Sequence, residues 1–75
     1  MSSNRYVQLL TESCFRELGY FSGLQVFLGV DMLITIDHQG SGFVITVDSV
    51  ARNIGFVEYV CNDFQLCQVI EGVLG

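Results

Sequence analysis

The 75-residue chain contains no lysine, no proline and no tryptophan, and three arginines are its only cations. Eight carboxylates oppose them, so the net charge is −5. Without lysine the chain can form neither a P-loop nor a Schiff base. The excess of negative charge repels phosphate backbones, which argues against direct binding of DNA or RNA.

Signals for secretion and membrane insertion are also missing. The first residues show no basic segment followed by an apolar one, so we expect no signal peptide. The longest apolar region, residues 20–36, is interrupted by Ser22, Gln25 and Asp31. Because a membrane span needs ~20 nearly uninterrupted apolar residues, we expect no contact with a membrane.

The three cysteines, Cys14, Cys61 and Cys67, form no CxxC pair. Their odd number and the missing signal peptide favour a reducing cytoplasm with free, largely buried thiols. Structural zinc sites draw on short-spaced ligand pairs. We therefore expect no metal site and no cofactor.

His38 is the only histidine, and it follows Asp37 next to a Gly-Ser-Gly turn. Neighbouring residues on a strand point to opposite faces, so this carboxylate does not orient the imidazole as a catalytic triad would. The sequence predicts a solvated turn residue and no enzyme. A small enzyme that uses Cys14 or His38 is the least favoured alternative.

Hydrophobic residues are abundant for so small a chain. They make up 51% of it, and charged residues only 15%, compared with roughly 25% in average proteins. A short chain places most of its residues near the surface. We therefore expect another chain to cover part of the apolar surface, either a second copy in a homodimer or a different partner.

The clearest element is a hairpin within residues 32–48. If Gly40 and Ser41 form a type II′ turn, glycine takes the first central position, where a positive φ is required; a turn at Gln39 and Gly40 keeps the same faces. The first register pairs Ile34 with Val47, Thr35 with Thr46, Ile36 with Ile45, and His38 with Phe43.

A helix and a strand are predicted before this hairpin. Apolar residues at steps of three and four indicate a helix that Ser3 or Asn4 caps and Gly19 ends. Alternation over residues 24–28 then indicates a strand, and residues 29–31 form a three-residue hairpin loop. This register pairs Leu28 with Met32, Val26 with Ile34, and Leu24 with Ile36.

The last third of the chain predicts a strand and a helix. Residues 49–55 fit a loop, a helical turn capped by Ser49, or a strand extension. Residues 56–61 fit a strand, and Asn62 or Asp63 caps a final helix that is apolar on more than one side. In that strand Val57, Tyr59 and Cys61 point inward and Glu58 points outward.

These elements predict one α+β domain over residues 1–75. Its order is α-β-β-β-(β)-α, an antiparallel three- or four-stranded meander with both helices on one face. The expected core residues are Val7, Leu10, Cys14, Leu18, Leu24, Val26, Leu28, Ile34, Ile36, Phe43, Ile45, Val47, Tyr59, Leu66 and Ile70.

The leading hypothesis is a non-enzymatic protein-binding module, an inhibitor or adaptor of a larger complex. The carboxylates have two interpretations: they suit a partner with a basic surface, such as a complex that handles nucleic acid, or they keep a small hydrophobic domain soluble. In size and charge alone, the chain is similar to phage-encoded inhibitors of host defence such as anti-CRISPR proteins. The alternative is a structural subunit that assembles through its last helix. The candidate partner-binding residues are Leu33, Thr35, Asp37, Val44, Thr46, Asp48 and Glu58.

Overall fold

A computed structural model describes residues 5–75 of the protein. Its elements are α1 (Arg5–Glu12), β1 (Arg16–Phe21), β2 (Leu24–Leu28), β3 (Leu33–Gln39), β4 (Gly42–Ser49), β5 (Ile54–Val60) and α2 (Asp63–Leu74). The strands form one antiparallel sheet in the order β1-β2-β3-β4-β5. The predicted α+β class and meander are confirmed, but the sheet has five strands instead of three or four.

Both helices pack on one face of the sheet, which we call the helix face. Its central strand residues are inaccessible to solvent: Phe27, Ile34, Ile36, Ile45 and Val47. Of the predicted core, Ile34, Ile36, Ile45 and Val47 are confirmed, together with Leu10, Leu66 and Ile70. Val7 and Phe43, which were also predicted, are partly buried and pack against this core. Six residues were wrongly placed there and are half-buried or exposed: Cys14, Leu18, Leu24, Val26, Leu28 and Tyr59.

The first helix ends at Glu12, seven residues before the predicted stop at Gly19. Phe15 donates its backbone N–H to the Leu10 carbonyl at 2.9 Å, and Cys14 donates to Thr11 at 3.1 Å. With Cys14 in the left-handed region at φ 69°, these two bonds form a Schellman motif. The predicted caps Ser3 and Asn4 lie outside the described residues.

The chain after this motif forms β1, a segment predicted to be helix and connector. Gly19, with φ 117°, takes part in an irregularity of the β1–β2 register rather than in a helix end. Ser22 and Gly23 both have positive φ between the paired residues Phe21 and Leu24. Positive φ at both central residues is the property of a type I′ turn, which suits the twist of a hairpin.

The register predicted between the next two strands is wrong by one residue. Residues 29–32 form the loop, so Leu28 pairs with Leu33 rather than with Met32. A shift of one residue turns every side chain of a strand to the opposite face. Gln25 and Phe27 are therefore buried on the helix face, and Leu24, Val26 and Leu28 lie on the other side.

The β3–β4 hairpin follows the prediction in all its pairs. Ile34 lies opposite Val47, Thr35 opposite Thr46, Ile36 opposite Ile45, and His38 opposite Phe43. Gly40 alone has a positive φ, 57°, within the Gly40-Ser41 turn, as a type II′ turn requires.

Residues 49–55 combine two strand ends with a turn. The Ser49 hydroxyl donates to the Asp31 carbonyl at 2.6 Å and accepts from the Arg52 N–H at 3.2 Å, and β5 begins at Ile54. In β5 the predicted sidedness is wrong, because Val60 is buried and Val57, Tyr59 and Cys61 are exposed.

The final helix begins as predicted at Asn62, whose side chain accepts from the Gln65 N–H at 2.9 Å. Leu66, Cys67 and Ile70 are buried against the rest of the chain. The apolar residues Val69, Val73 and Leu74 pack partly buried on the same core, and Phe64 is exposed.

Candidate functional site

The second face of the sheet bears no helix within residues 5–75, and we call it the open face. Alternate residues of all five strands form it, in three rows that cross the sheet. From β1 to β5 the rows are Phe21-Leu24-Asp37-Val44-Tyr59, Gly19-Val26-Thr35-Thr46-Val57 and Arg16-Leu28-Leu33-Asp48-Gly55.

Eight of these fifteen residues have hydrophobic side chains, and most of them are open to solvent. Val57 is 67% exposed, Tyr59 57% and Phe21 55%, all on the two edge strands. On the inner strands Leu28 and Leu33 are also exposed, and Leu24, Val26 and Val44 are half-buried by their neighbours. Contiguous exposed apolar surface of this kind is typical of interaction sites.

Six of the seven predicted partner-binding residues come together on the open face: Leu33, Thr35, Asp37, Val44, Thr46 and Asp48. Glu58 is the exception. It pairs with Ile45, whose side chain is buried on the helix face, so Glu58 points to the opposite side of the sheet. The error has the same origin as the reversed sidedness of β5.

Sequence reasoning missed the outer parts of this surface: Phe21, Leu24, Val26, Leu28, Val57 and Tyr59. The alternation of residues 24–28 was recognised but assigned to the core. The error lies in the length of the following loop, because a four-residue loop places Phe27 and not Val26 opposite Ile34. The sequence contains no local signal that distinguishes a four-residue loop from a three-residue one here.

The ring of Tyr59 covers Gly42 at one corner of the open face. A Cβ on Gly42 would lie 2.5 Å from the Tyr59 hydroxyl and 2.6 Å from the Val60 carbonyl oxygen. The absence of a side chain at Gly42 therefore lets the Tyr59 ring lie against the sheet. This holds a large aromatic group against the surface of the sheet, where it is still more than half exposed.

Three charged groups interrupt the open face. Asp37 lies in the first row and accepts a hydrogen bond from the Gln39 amide at 2.7 Å. Arg16 and Asp48 lie in the third row, on β1 and β4. Strands are ~4.8 Å apart, so these two strands are separated by about 14 Å, too far for an ion pair within one chain.

On the helix face, a polar cluster lies below α1. The Tyr6 hydroxyl donates to Gln25 Oε1 at 2.7 Å, and Gln25 Nε2 donates to Glu17 Oε2 at 2.8 Å. His38 Nε2 lies 3.2 Å from the same Gln25 oxygen. Burial, and to a smaller extent nearby negative groups, raises the pKa of Tyr6 to about 12.

This cluster fixes α1 to the sheet. Tyr6 is protonated at neutral pH, and no carboxylate is bonded to the His38 ring nitrogens among the hydrogen bonds of residues 5–75. The His38 ring instead packs edge-on against Phe43, with ring centroids 5.2 Å apart. His38 is exposed, as predicted. It lies in β3 and not in the turn, and its ring contacts Phe43.

The thiols and carboxylates are dispersed. Cys14 and Cys61 are exposed and Cys67 is buried, so the expectation of largely buried thiols holds for one of the three. Burial raises the pKa of the Cys67 thiol, with a smaller contribution from Asp63. Within residues 5–75, no three His, Cys, Asp or Glu side chains are grouped as metal ligands would be.

Negative charge is concentrated on the side of the molecule that carries the helices. Arg5 is the cation on this side and lines a groove with Asp63 and Glu71. The open face has two carboxylates and one arginine, and Asp31 pairs with Arg52 in the loops at 3.4 Å. The carboxylates on the helix side are Glu12, Glu17, Glu58, Asp63 and Glu71.

In the described part of the chain, no helix has both the length and the apolar character needed to cross a membrane. Comparisons with models of protein families, with curated proteins and with solved structures find no match to this chain.

Proposed function

We propose that the protein is a non-enzymatic protein-binding module that acts as an inhibitor or adaptor of a larger complex. Its open face is the contact surface for another polypeptide. The observation behind this proposal is the extent of that face, where five adjacent strands present apolar side chains to solvent in a chain of only 75 residues.

The composition of the open face supports protein binding over small-molecule binding. Ligand sites are concave and enclose most of their ligand, whereas this face is the surface of a sheet. Large aromatic groups such as Phe21 and Tyr59 lie at its two edges, and aromatic residues are enriched where proteins bind each other. A flat apolar surface with aromatic groups suits a protein partner.

The carboxylates of the helix side support a partner with a basic surface. Five of them stand on this side with Arg5 as the opposing cation. A surface of one sign accelerates association with the opposite sign, and salt weakens this effect. A protein that handles nucleic acid is one with such a surface, and blocking it resembles the action of phage-encoded inhibitors of host defence.

Assembly of a structural subunit through α2 has less support. Its buried and half-buried apolar residues already pack against the core of the same chain. Phe64, 71% exposed, is the large apolar side chain that α2 offers to another molecule. One side chain is a small contact compared with the open face.

Affinity capture from the native host with matched variants tests the proposal. Val57→Glu adds a charge to the open face, Val50→Glu adds the same charge to a loop tip, and Phe64→Glu adds it to α2. We expect Val57→Glu to lose the captured protein and the other two variants to retain it. The Val50 variant is the closest control, because it changes the same residue type to the same charge at a more exposed position.

The result contradicts the proposal if all three variants capture the same protein equally well. Selective loss with Phe64→Glu would favour assembly through α2 instead. Repeating the capture at increasing salt tests the basic partner separately. Binding that does not weaken with salt would exclude a charge-driven contact of the helix side.

A further inference from the structure

We propose that the open face is covered by a second copy of the same chain, packed face to face with a two-fold axis parallel to the strands. This inference rests on the proposed function, since it names the polypeptide that the open face contacts. The two helix sides of the dimer then remain for the larger complex, and Val57→Glu loses the captured protein because it separates the two copies. Two sheets packed in this way form a β-sandwich whose outer surfaces are the two helix sides.

The area of the open face is sufficient for such a dimer. Five strands ~4.8 Å apart and about 20 Å long present roughly 500 Å² in plan, or about 1,000 Å² for two copies, before side-chain relief adds to it. A specific interface needs about 1,000 Å² in total. An interface of this area therefore includes nearly the whole open face.

The charges of the open face select the direction of the axis. With an axis parallel to the strands through β3, β1 of one copy lies over β5 of the other. Arg16 then lies over Gly55 of the second copy and next to its Asp48, because Gly55 and Asp48 are paired neighbours. The symmetry forms this ion pair twice, and the same two groups are too far apart to pair within one chain.

The sizes of the opposing side chains agree with this axis. Val57 lies over Gly19 of the second copy, and Arg16 lies over Gly55, so each glycine receives a larger side chain. Phe21 lies over Tyr59, which joins the two aromatic edges. An axis perpendicular to the strands would instead place Arg16 over Phe21 and Gly19 over Gly19. Tyr59 would then cover Gly55, but Arg16 would have no carboxylate within reach and Gly19 would receive no side chain.

Two contacts oppose the dimer. Asp48 lies over Leu28 of the second copy, so its carboxylate is next to an apolar side chain as well as to Arg16. Asp37 lies on β3, the strand at the axis, so the carboxylates of the two copies approach each other at one end of the interface. Like charges that meet in an interface weaken it. Asp37→Asn removes this repulsion and keeps the oxygen that accepts from Gln39. We expect it to tighten the dimer about tenfold, an effect that damage to the fold would not produce.

Sedimentation velocity and native mass spectrometry on the full chain test the inference. We expect the natural protein to be a dimer at about 0.1 mM, and Arg16→Glu and Asp48→Arg each to raise the dissociation constant at least about a hundredfold. Mixing the two variants in equal amounts restores a dimer with one copy of each. In that mixed dimer the side chains at positions 16 and 48 that face each other carry opposite charges in both contacts, whereas each variant alone brings like charges together.

Three results would overturn the inference: a natural chain that stays monomeric at about 0.1 mM, a dimer that both charge reversals leave intact, or a mixture that stays monomeric. The proposed function is tested separately by the capture with Val57→Glu. A monomer whose capture depends on Val57 would refute the dimer and keep the protein-binding role. A dimer together with capture that ignores Val57 would keep the inference and refute the need of the open face for binding the larger complex.

Discussion

The two faces of the sheet are built from similar residues and have opposite environments. Ile45 is fully buried on the helix face, and Val44, its neighbour in sequence, is half-buried on the open face. Both are β-branched, and both have strand partners on each side. The difference is the layer of two helices that covers one face. Apolar character therefore does not decide which face forms the core when only one layer of helices is present.

The distribution of charge differs in the same way. The helix side carries five carboxylates at its edges and on its helices, and the open face carries Asp37, Asp48 and Arg16. The charges on the helix side keep a hydrophobic chain in solution, whereas those of the open face are placed among apolar groups. In an interface such charges determine which partner and which orientation are accepted.

Shortening one side chain on each face gives the largest expected contrast. Ile45→Ala removes fully buried atoms and should lower the free energy of unfolding by about 3 kcal/mol. Val44→Ala should lower it by less than about 1 kcal/mol. Urea unfolding measures both values, at a protein concentration low enough to keep the chain monomeric. Equal losses for the two variants would mean that the open face is covered within the chain itself.

Adding a methyl group at Gly42 tests the position of the Tyr59 ring. The new Cβ would meet both the Tyr59 hydroxyl and the Val60 carbonyl oxygen, and we expect Gly42→Ala to lower the free energy of unfolding by about 2 kcal/mol. The double variant Gly42→Ala/Tyr59→Ala should recover only part of this loss relative to Tyr59→Ala, because the backbone oxygen remains. Full recovery would show that the ring alone causes the conflict.

Removing the Tyr6 hydroxyl tests the polar cluster of the helix face. Gln25 is 2% exposed and loses its 2.7 Å donor, so Tyr6→Phe should lower the free energy of unfolding by about 1–2 kcal/mol at neutral pH. Chemical denaturation of both proteins measures this difference. A smaller loss would indicate that His38, 3.2 Å from the Gln25 oxygen, satisfies it alone.

The same variant has a specific signature at high pH. The pKa of Tyr6 is raised from 10.0 to about 12 in the folded protein. Above pH 10 the unfolded chain loses this proton and the folded chain keeps it, so the stability contribution of Tyr6 is complete below pH 10 and is lost as pH rises to 12. We expect the natural protein to lose stability more steeply than Tyr6→Phe in this window. Parallel curves would exclude a raised pKa.

The β3–β4 hairpin shows what the sequence alone could predict. Its turn contains glycine at the position that needs a positive φ, and the alternation on both strands agrees with that turn, so the register and the faces were correct. The β2–β3 register lacked such a signal. Gly29-Val30-Asp31 fits a three-residue loop. Met32 is apolar, as the first residue of the predicted strand should be, although it belongs to the loop. One residue of error there reversed β2.

The strength of these local signals also explains what was predicted of the candidate site. The residues of β3 and β4 on the open face were identified because their hairpin was correct. Those of β1, β2 and β5 were missed, since all three strands were assigned to a helix or to the wrong face. The strand Leu24–Leu28 has apolar residues at both even and odd positions. Such a strand gives no local indication of the face that it buries.

The smallest expected effect comes from the end of α1, where glycine is the residue that a helix end of this kind favours. Cys14 adopts a φ of 69°, which costs a non-glycine residue roughly 1–2 kcal/mol. A flexible glycine costs about 0.4–1 kcal/mol in the unfolded chain. The difference favours Cys14→Gly, and we expect the free energy of unfolding to rise by about 0.5–1 kcal/mol.

Cys14→Ala is the matched control for this prediction, because it removes the thiol and keeps the backbone restriction. We expect it to leave stability within about 0.5 kcal/mol of the natural protein. Gly19→Ala should act in the opposite direction and lower the free energy of unfolding. Gly19 has φ 117°, a backbone angle that strains any residue with a Cβ, even though no atom lies within 4 Å of the new group. If Cys14→Gly and Cys14→Ala stabilise equally, the thiol and not the left-handed backbone limits this helix end. If Gly19→Ala is neutral, the β1 irregularity does not need its glycine.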